Sequence, residues 1–510
     1  MRSRSIRFEL ALAVLLALST ASFHARQSRQ SAEPSSEERL LAAMRSISSH
    51  PLLDYVKELA SEKYQGRLTG TPTYDAAARW TIDLLSSWEI KPAGDKGTYL
   101  QQFPDPYTLV LPGAELSMII PLANQAAITK PYVYEQDFFP GSTSDSGTIT
   151  AEVVYVGYGA TAPELGYDDY EGVDVKGKIV LMEPEVPVTP DKEPDLFKRW
   201  RPYSFHDYKV KNAQGHGAAG MVYNYHIVNP NCVFLKGFLL TYVGRAVVDD
   251  IFAGTGRSHD ELVKAIQTDR KPVSFATGKV MRVKNVTEHH PEGVGSNVIA
   301  YLEGSDRALK AETIIIGAHL DHLGMNDRLM PGANDDASGV AVTLGVAEAL
   351  ATSGIPLRRS VLFILFGAEE QGVKGSEYYV AHPAVPNDRV KGFINLESVG
   401  RGERITAGAG GKDYNQLWEY FDRNNRKYIH RPLGMRFSAN LARPRQDAAH
   451  FMWANVPTLS FGTSGGNRLP FATYHTTRDT PEIITPEIMQ DLARLVFLSV
   501  VEMANGSVTQ

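Results

Sequence analysis

The stretch Thr313–Val340, TIIIGAHLDHLGMNDRLMPGANDDASGV, decides how this chain folds. It opens with an apolar, β-branched run, typical of a buried strand, and turns at Gly317 into side chains that can bind a metal ion. A second turn at 331–334 precedes a helical pattern that runs from Ala337 to about Leu350. The candidate ligands in this stretch are His319, Asp321, His322, Asp335 and Asp336.

Two further apolar runs end in acidic residues. The run at 360–366 leads into Glu369 and Glu370, and the run at 391–396 leads into Glu397. In an open parallel sheet, residues that follow the carboxyl ends of the strands converge on one crevice. Carboxylates packed this closely repel one another without a cation, and oxygen with imidazole ligation suits zinc or a similar divalent ion. The sequence therefore predicts a three-layer α/β fold, in which helices cover both faces of a mostly parallel sheet, with a metal site at this edge of the sheet.

Composition narrows the functional classes. The 510 residues exceed what one core usually holds, so we expect two or more lobes. A net charge of −6 gives no basic surface for nucleic acid. Cys232 is the only cysteine, which excludes an intramolecular disulfide and a thiolate zinc cluster.

The N-terminus has the pattern of an export signal. Three arginines precede a short apolar segment at 10–18, followed by small residues up to Ala25. This segment is far below the roughly 20 residues that a membrane span requires, so we interpret residues 1–25 as a secretory signal peptide. We therefore expect a secreted or periplasmic protein with no stable membrane span after cleavage, and a polar spacer at 26–38.

The rest of the chain divides by pattern. Residues 39–135 begin with helical periodicity and form the first part of a predicted catalytic domain, and residues 284–510 form its second part. Between them, residues 136–283 change to short alternating strands, which predicts an inserted β-rich module.

Two motif matches lack the context that their chemistry requires. Gly157-x-Gly159-x-x-Ala162 resembles part of a dinucleotide fingerprint, but no good helix follows it. Residues 462–466 fit G-x-S-x-G, yet Pro470 follows instead of a helix, and the order of His475 and Asp479 is wrong for a serine hydrolase.

A family resemblance rests on five motifs in a fixed order. They are GAHLDH (317–322), PGANDDASG (331–339), FGAEEQGVKGS (366–376), INLES (394–398) and YHTTRDT (474–480). Together they resemble the co-catalytic zinc exopeptidases that include bacterial leucyl aminopeptidases, aminopeptidase Y and the glutamate carboxypeptidases. The inserted module is similar to the protease-associated (PA) domain found in many members.

The resemblance implies roles for individual residues. His319 and Glu397 would bind one zinc ion, Glu370 and His475 a second, and Asp335 both. The three further roles that it implies are Asp321 as the residue that orients His319, Glu369 as the general base, and Tyr474 as the donor to the oxyanion. The resemblance also implies a cis peptide bond between Asp335 and Asp336.

Other residues remain outside this set. Asp336 is interpreted as a cap for the following helix, and Arg445 as a weaker alternative to Tyr474 as oxyanion donor. His322 and the pair His289-His290 do not follow the pattern of the other ligands, so we interpret them as exposed or as neighbours of the ligands.

The resemblance has two departures. Glu397 stands where many members have aspartate, and the stretch NLARPRQ (440–446) lacks the tyrosine that the aminopeptidases place there. We expect an exported two-zinc exopeptidase that acts on peptides, with an aminopeptidase favoured. The alternatives are a carboxypeptidase or dipeptidase in which Arg443 and Arg445 meet the substrate carboxylate, a glutaminyl cyclase-like transferase, and a non-catalytic binding protein.

Overall fold

The computed structural model describes residues 35–122, 125–410, 415–438, 446–464 and 472–506. The predicted signal peptide at 1–25 and most of the spacer lie outside these residues, as do Arg443 and Arg445. No helix in the described part of the chain is both long enough and apolar enough to span a bilayer.

The larger of two main sheets has nine strands. In spatial order they are β1 (Lys91–Pro92), β15 (Val294–Leu302), β19 (Ser360–Phe366), β16 (Thr313–His319), β20 (Val390–Leu396), β23 (Thr458–Ser464), β21 (Arg404–Gly410) and β22 (Leu433–Ser438), with β2 (Leu100–Pro104) also paired to β15. The four central strands, β19, β16, β20 and β23, are parallel to one another. The three apolar runs that form β16, β19 and β20 are therefore neighbours in space.

The central strands are apolar because helices cover both of their faces. Every residue of β16 and β19 is buried, which is the pattern of parallel strands inside an α/β domain. The helices of this domain are α1 (Ser36–Ser46), α2 (Ser49–Leu59), α3 (Pro72–Ser87), α8 (Ser338–Thr352), α9 (Lys374–Ala381), α10 (Asn415–Asn424), α11 (Ala448–Trp453) and α12 (Pro486–Asn505).

Two apolar cores separate the helices into layers. Side chains of α1, α2, α3, α8, α10 and α12 share one core with the sheet. Side chains of α9 and α11 pack with the opposite sheet face, where Phe366 and Phe393 contact Phe451 of α11. The predicted three-layer α/β fold is confirmed, with antiparallel strands at the margins of the sheet.

The second main sheet has eight strands. In spatial order they are β5 (Gln125–Pro131), β4 (Glu115–Leu122), β13 (Ser274–Asn285), β7 (Gly147–Val156), β10 (Ile179–Met182), β11 (Gly220–Tyr223), β12 (Leu239–Val243) and β6 (Phe138–Pro140). Its helices are α4 (Pro194–Trp200), α5 (His206–Gly215), α6 (Arg245–Phe252) and α7 (His259–Asp269). We call this sheet with its helices the inserted module. It includes two strands that precede residue 136, where the sequence interpretation begins the module.

Short strands complete the structure. A four-stranded sheet contains β3 (Tyr107–Val110), β14 (Thr287–His290), β17 (Met325–Asn326) and β18 (Arg328–Leu329), and a hairpin contains β8 (Thr161–Ala162) and β9 (Tyr167–Asp168). The four-stranded sheet lies where the chain passes between the module and the larger domain. Its strands β17 and β18 belong to the segment after His322, and Asn326 in β17 donates from its side chain to the carbonyl of Pro140 in the module.

Candidate metal centre

The carboxyl ends of β16, β19 and β20 bring the predicted ligands to one edge of the larger sheet. His319, the last residue of β16, is paired with Phe366, the last residue of β19. Glu369 and Glu370 follow three and four residues later, and Glu397 directly follows β20. The turn that contains Asp335 precedes α8, and its Asp335–Asp336 peptide bond is cis, as predicted.

One group of side chains surrounds His319. Its Nε2 atom lies 3.2 Å from Oδ1 of Asp335 and 3.6 Å from Oε1 of Glu397. The imidazole is fully buried, and its Nδ1 donates to the backbone carbonyl of Asp321 at 3.1 Å. The Nε2 atom is therefore held toward the two carboxylates.

A second group surrounds His475. Its Nε2 atom lies 3.0 Å from Oε2 of Glu370 and 3.3 Å from Oδ2 of Asp335. The carboxylate of Asp335 thus points one oxygen at each histidine. Burial opposes ionisation of Asp335, but the neighbouring His475 and His319 outweigh it and hold the pKa of its carboxyl well below the usual range. Burial likewise opposes protonation of His475, yet Glu370 and Asp335 raise its pKa to about 10.

These groups fit a pair of metal ions. Two ligand atoms that each bind zinc tetrahedrally at about 2.0–2.1 Å lie about 3.3 Å apart, close to the separations observed here. The Nε2 atoms of both histidines are buried without a hydrogen bond of good geometry, as are Oδ2 of Asp335 and Oε2 of Glu397. Buried polar atoms normally have a partner, and a cation would supply one here.

The charge at this edge of the sheet also calls for cations. Among the described residues, eight buried or nearly buried acidic side chains meet there, and the buried guanidinium of Arg67 lies close to several of them. The acidic residues are Asp321, Asp335, Asp336, Glu369, Glu370, Glu397, Asp447 and Asp479.

Glu369 lies beside these groups without belonging to either. It is 8% exposed, and burial together with the charges of Glu397 and Glu370 raises the pKa of its carboxyl well above the ordinary value. A raised pKa suits a group that must hold a proton during a reaction. Its backbone N–H donates to Oδ1 of Asp321 at 3.2 Å.

Comparison with known proteins identifies the larger domain. Residues 297–500, which include every predicted ligand, match the model described as Peptidase family M28. This segment matches Peptidase family M28, and we call the larger domain that contains it the M28 domain. Residues 149–231 match the PA domain model and lie within the inserted module.

Curated relatives match a longer part of the chain. An aminopeptidase of Pseudomonas aeruginosa (strain UCBPP-PA14) is 27% identical over 359 residues, which are 68% of this chain and 56% of the relative. The chain thus spans just over half the length of that relative. Aminopeptidase YwaD of Bacillus subtilis (strain 168) is 26% identical over 360 residues, 68% of this chain and 67% of the relative.

Solved structures share the fold. An aminopeptidase from Aneurinibacillus sp. strain AM-1 has a TM-score of 0.61 at 23% identity, over 90% of this chain and 95% of that one. BSAP, a zinc aminopeptidase from Bacillus subtilis, has a TM-score of 0.58 at 19% identity, over 91% of this chain and 97% of that one.

Asp321 has a wider set of contacts in the M28 domain than predicted. Its carboxylate lies 3.6 Å from Nδ1 of His319, which donates instead to the backbone carbonyl of the same aspartate at 3.1 Å. The same carboxylate accepts hydrogen bonds from the backbone N–H groups of Glu369 and Glu370, each at 3.2 Å. One buried aspartate therefore positions a candidate ligand from one strand and the acidic pair that follows another.

Tyr474 lies next to the second group. Its ring stacks on that of His475 with 3.7 Å between centroids. Burial and the charges of Asp335 and Glu370 raise the pKa of its hydroxyl well above the ordinary value, so the phenol keeps its proton and can donate it in a hydrogen bond.

His322 was interpreted as exposed or as a neighbour of the ligands, and the structure places it as a buried neighbour of Glu370. It is fully buried rather than exposed, and its Nδ1 lies 2.9 Å from Oε1 of Glu370 and 3.9 Å from Oδ2 of Asp335. The apolar neighbours Leu320 and Leu323, both buried, are the sequence signal that could have placed it inside.

Two further residues support the loops of the M28 domain. Asp479 accepts hydrogen bonds from the backbone N–H groups of Asn334 and Asp335 at 2.9 and 3.0 Å. Arg67 is fully buried, and its guanidinium donates to the carbonyls of Leu320, Pro331 and Gly332, as well as to Leu59. Neither residue follows a strand of the sheet, so the pattern of strand exits could not reveal them.

The remaining candidates lie elsewhere. His289 stacks on Phe234 and His290 on Tyr107, in the four-stranded sheet, and both are partly buried. Asp336 uses Oδ1 to accept from the N–H of Gly339 in the first turn of α8, in agreement with the predicted cap, and from the N–H of Ser398.

Proposed function

We propose that this protein is a two-zinc aminopeptidase that removes N-terminal residues from peptides. The observation that carries the proposal is the carboxylate of Asp335, whose oxygens lie 3.2 Å from His319 and 3.3 Å from His475. His319, Asp335 and Glu397 would hold one zinc ion, and His475, Asp335 and Glu370 the other. The likeness to curated aminopeptidases at 27% and 26% identity supports this activity over the carboxypeptidase, cyclase and binding-protein alternatives.

The chemistry divides between the ions and the side chains. The ions held by these residues would supply positive charge to polarise the scissile carbonyl and to lower the pKa of the attacking water. Glu369 accepts the proton of that water and delivers it to the leaving amine, for which its raised pKa is suited. Tyr474 donates its hydroxyl hydrogen to the oxygen that gains negative charge in the transition state.

The residue roles follow from position. Glu370 and Glu369 are adjacent, and neighbouring residues on an irregular segment point in different directions, so one can hold zinc while the other faces the water. Asp321 holds the backbone of both through their N–H groups. The base and the ligand therefore stay in a fixed relation during the reaction.

The decisive experiment compares free and N-acetylated di- and tripeptides as substrates of the zinc-reconstituted protein, with a chelator-treated sample alongside. We expect chelator-sensitive release of N-terminal residues, and no release from acetylated peptides. Cleavage of acetylated peptides from the other end would replace this proposal with a carboxypeptidase. No turnover by protein that holds zinc would leave a cyclase or a binding protein.

The ion count has its own test. Metal analysis of the reconstituted protein should find two zinc ions per chain, and His475→Ala should retain one because the His319 group is intact. A wild-type content of one ion would contradict the two-zinc model.

Export is proposed from the sequence alone. The arginines and the apolar segment within residues 1–25 are those of a secretory signal. Expression of the full chain in a bacterium, followed by fractionation and N-terminal sequencing, should give a shortened protein outside the cytoplasm. Recovery of the uncut chain in the cytoplasm would contradict export.

A further inference from the structure

A backbone contact joins the inserted module to the candidate metal centre. The segment after β11 turns back toward the M28 domain, and the carbonyl of Val228 accepts a hydrogen bond from Nδ1 of His475 at 2.6 Å. Val228 is 1% exposed and His475 5% exposed, so water does not compete for this contact. The two residues are 247 positions apart in the chain.

This contact determines which ring nitrogen of His475 carries a hydrogen. A carbonyl can only accept, so Nδ1 must carry the hydrogen, and in neutral imidazole the lone pair is then on Nε2. Nε2 is the atom that faces Glu370 and Asp335. A partner of this kind fixes both the tautomer and the ring orientation of a metal-binding histidine.

The other histidine is held differently. Nδ1 of His319 donates to the carbonyl of Asp321, two residues along the same segment. The His319 group is thus oriented from within the M28 domain, whereas the His475 group takes its orienting carbonyl from the module.

A second contact holds the segment that carries His475. Glu135, between strands β5 and β6 of the module, accepts hydrogen bonds from the hydroxyl of Thr477 and from Nε of Arg478, the latter at 3.0 Å. His475 itself has a φ of +54°, a left-handed backbone conformation that residues other than glycine rarely adopt. The anchor at 477–478 helps to keep the chain in that conformation.

The same module segment also approaches the other ligand of this group. Gly372, two residues after Glu370, leaves room for Asn231, since a Cβ atom at Gly372 would lie 2.9 Å from Oδ1 of Asn231. Val228 itself packs in an apolar cluster that includes Leu323 and Met330 of the M28 domain. The module is therefore packed against the segments that carry His475 and Glu370.

We propose that the inserted module is a working part of the His475–Glu370 metal site, in which the Val228 carbonyl orients His475 and Glu135 anchors the segment that bears it. This inference rests on the two-zinc centre proposed above. It makes zinc affinity at this site depend on how the module is seated, whereas affinity at the His319–Glu397 site does not. Val228 and Glu135 are positioning residues, since neither touches metal or substrate.

The test measures zinc binding to the full chain by competition with a chromophoric chelator. Val228→Gly frees the backbone that presents the carbonyl, and Glu135→Ala removes the anchor. Each is made in two backgrounds, Glu397→Ala, which retains the His475 group, and Glu370→Ala, which retains the His319 group. We expect the dissociation constant to rise about 10- to 100-fold in the first background and to stay unchanged in the second.

Matched controls separate positioning from general damage to the module. Val175→Gly makes the same change at a buried valine of the same apolar cluster, and Glu193→Ala removes the ion pair with Arg270 inside the module. Neither control should alter zinc affinity. Val228→Ile, which replaces the valine with another β-branched residue, should bind zinc as tightly as wild type. Unchanged affinity in both test variants, an equal loss in both backgrounds, or the same loss in the controls would overturn the inference.

This readout is independent of peptide hydrolysis. Wild-type protein that binds two zinc ions but cleaves no peptide would refute the aminopeptidase proposal and leave the module's role intact. Wild-type protein that cleaves peptides while Val228→Gly and Glu135→Ala bind zinc normally would refute the module's role alone.

Discussion

At the scale of single residues, Glu369 is the side chain whose removal should separate metal binding from catalysis. Glu369→Gln keeps the shape of the side chain but cannot accept a proton, so we expect kcat to fall about 10²- to 10⁴-fold. Zinc content should stay at the wild-type value, because Glu369 belongs to neither ligand group. Glu377→Gln, on the exposed side of α9, is the control and should keep full activity. Full activity of the Glu369 variant would remove it from the mechanism.

His322 tests whether a buried neighbour tunes a ligand. His322→Phe keeps an aromatic ring, slightly larger than imidazole, and removes the nitrogen 2.9 Å from Oε1 of Glu370. Glu370 would lose the partner that orients it, so we expect zinc affinity at the His475–Glu370 site to fall about 10-fold or more. Titration with a competing chelator measures this. The control is His382→Phe, on the surface at the end of α9, which should leave zinc affinity unchanged. If His322→Phe also left zinc affinity unchanged, His322 would have no role in holding Glu370.

At the scale of elements, Arg67 ties together the loops that follow β16 and precede α8. Arg67→Lys keeps the charge but cannot reach the carbonyls of Leu320, Pro331 and Gly332 at once. Buried carbonyls without donors are costly, so we expect the free energy of unfolding to fall by about 3 kcal/mol. Urea unfolding measures this, with Arg79→Lys on the exposed side of α3 as control. Equal stability of the two variants would contradict the role.

The same loops show what the sequence could and could not predict. Strand ends were predictable because a continuous apolar run indicates a buried strand and ends where the strand ends. His319, Glu370 and Glu397 could therefore be placed at one edge of the sheet. The bond between His475 and Val228 could not be predicted, because a backbone carbonyl has no sequence signature. For a related reason the sequence left open whether His322 is exposed or a neighbour of the ligands, since its burial depends on packing against residues distant in the chain.

Helix α5 of the module carries a buried lysine with a testable pH signature. Burial lowers the pKa of Lys209 to about 8, and its side chain donates to the carbonyl of Tyr158. In the unfolded chain the pKa of Lys209 is near 10.5. Between pH 8 and pH 10.5 the unfolded state therefore holds more protons than the folded state, and the free energy of unfolding rises with pH. We expect Lys209 to contribute a rise of about 3 kcal/mol across this window.

The measurement compares variants rather than absolute values. Urea unfolding of wild type and Lys209→Met is followed at several pH values from 7 to 11, and their difference in free energy should shrink as pH rises. Lys211→Met, on the exposed side of the same helix, should parallel wild type. A difference that does not change with pH would mean that folding leaves the pKa of Lys209 unshifted.

At the scale of the whole molecule, the fold concentrates negative charge at one place and relies on cations to offset it. The eight acidic side chains around His319 and His475 come from segments between Asp321 and Asp479, so their mutual repulsion acts on most of the M28 domain. Without metal, Arg67 and protonated His319 are described cations that oppose that repulsion. Binding of zinc to the folded state alone should therefore stabilise the domain as a unit.

Metal removal tests this directly. Free zinc at about 1,000 times its dissociation constant stabilises the folded state by about 4 kcal/mol per site, so Tm should fall markedly on chelation and recover when zinc is restored. Mg²⁺ prefers six oxygen ligands and should restore little of the loss, because each group offers a histidine. His475→Ala should show a smaller zinc-dependent rise than wild type, since one site remains. A wild-type Tm that does not depend on zinc would mean that the carboxylates are neutralised by protons instead, and that the convergence of ligands on this edge of the sheet does not form a metal centre.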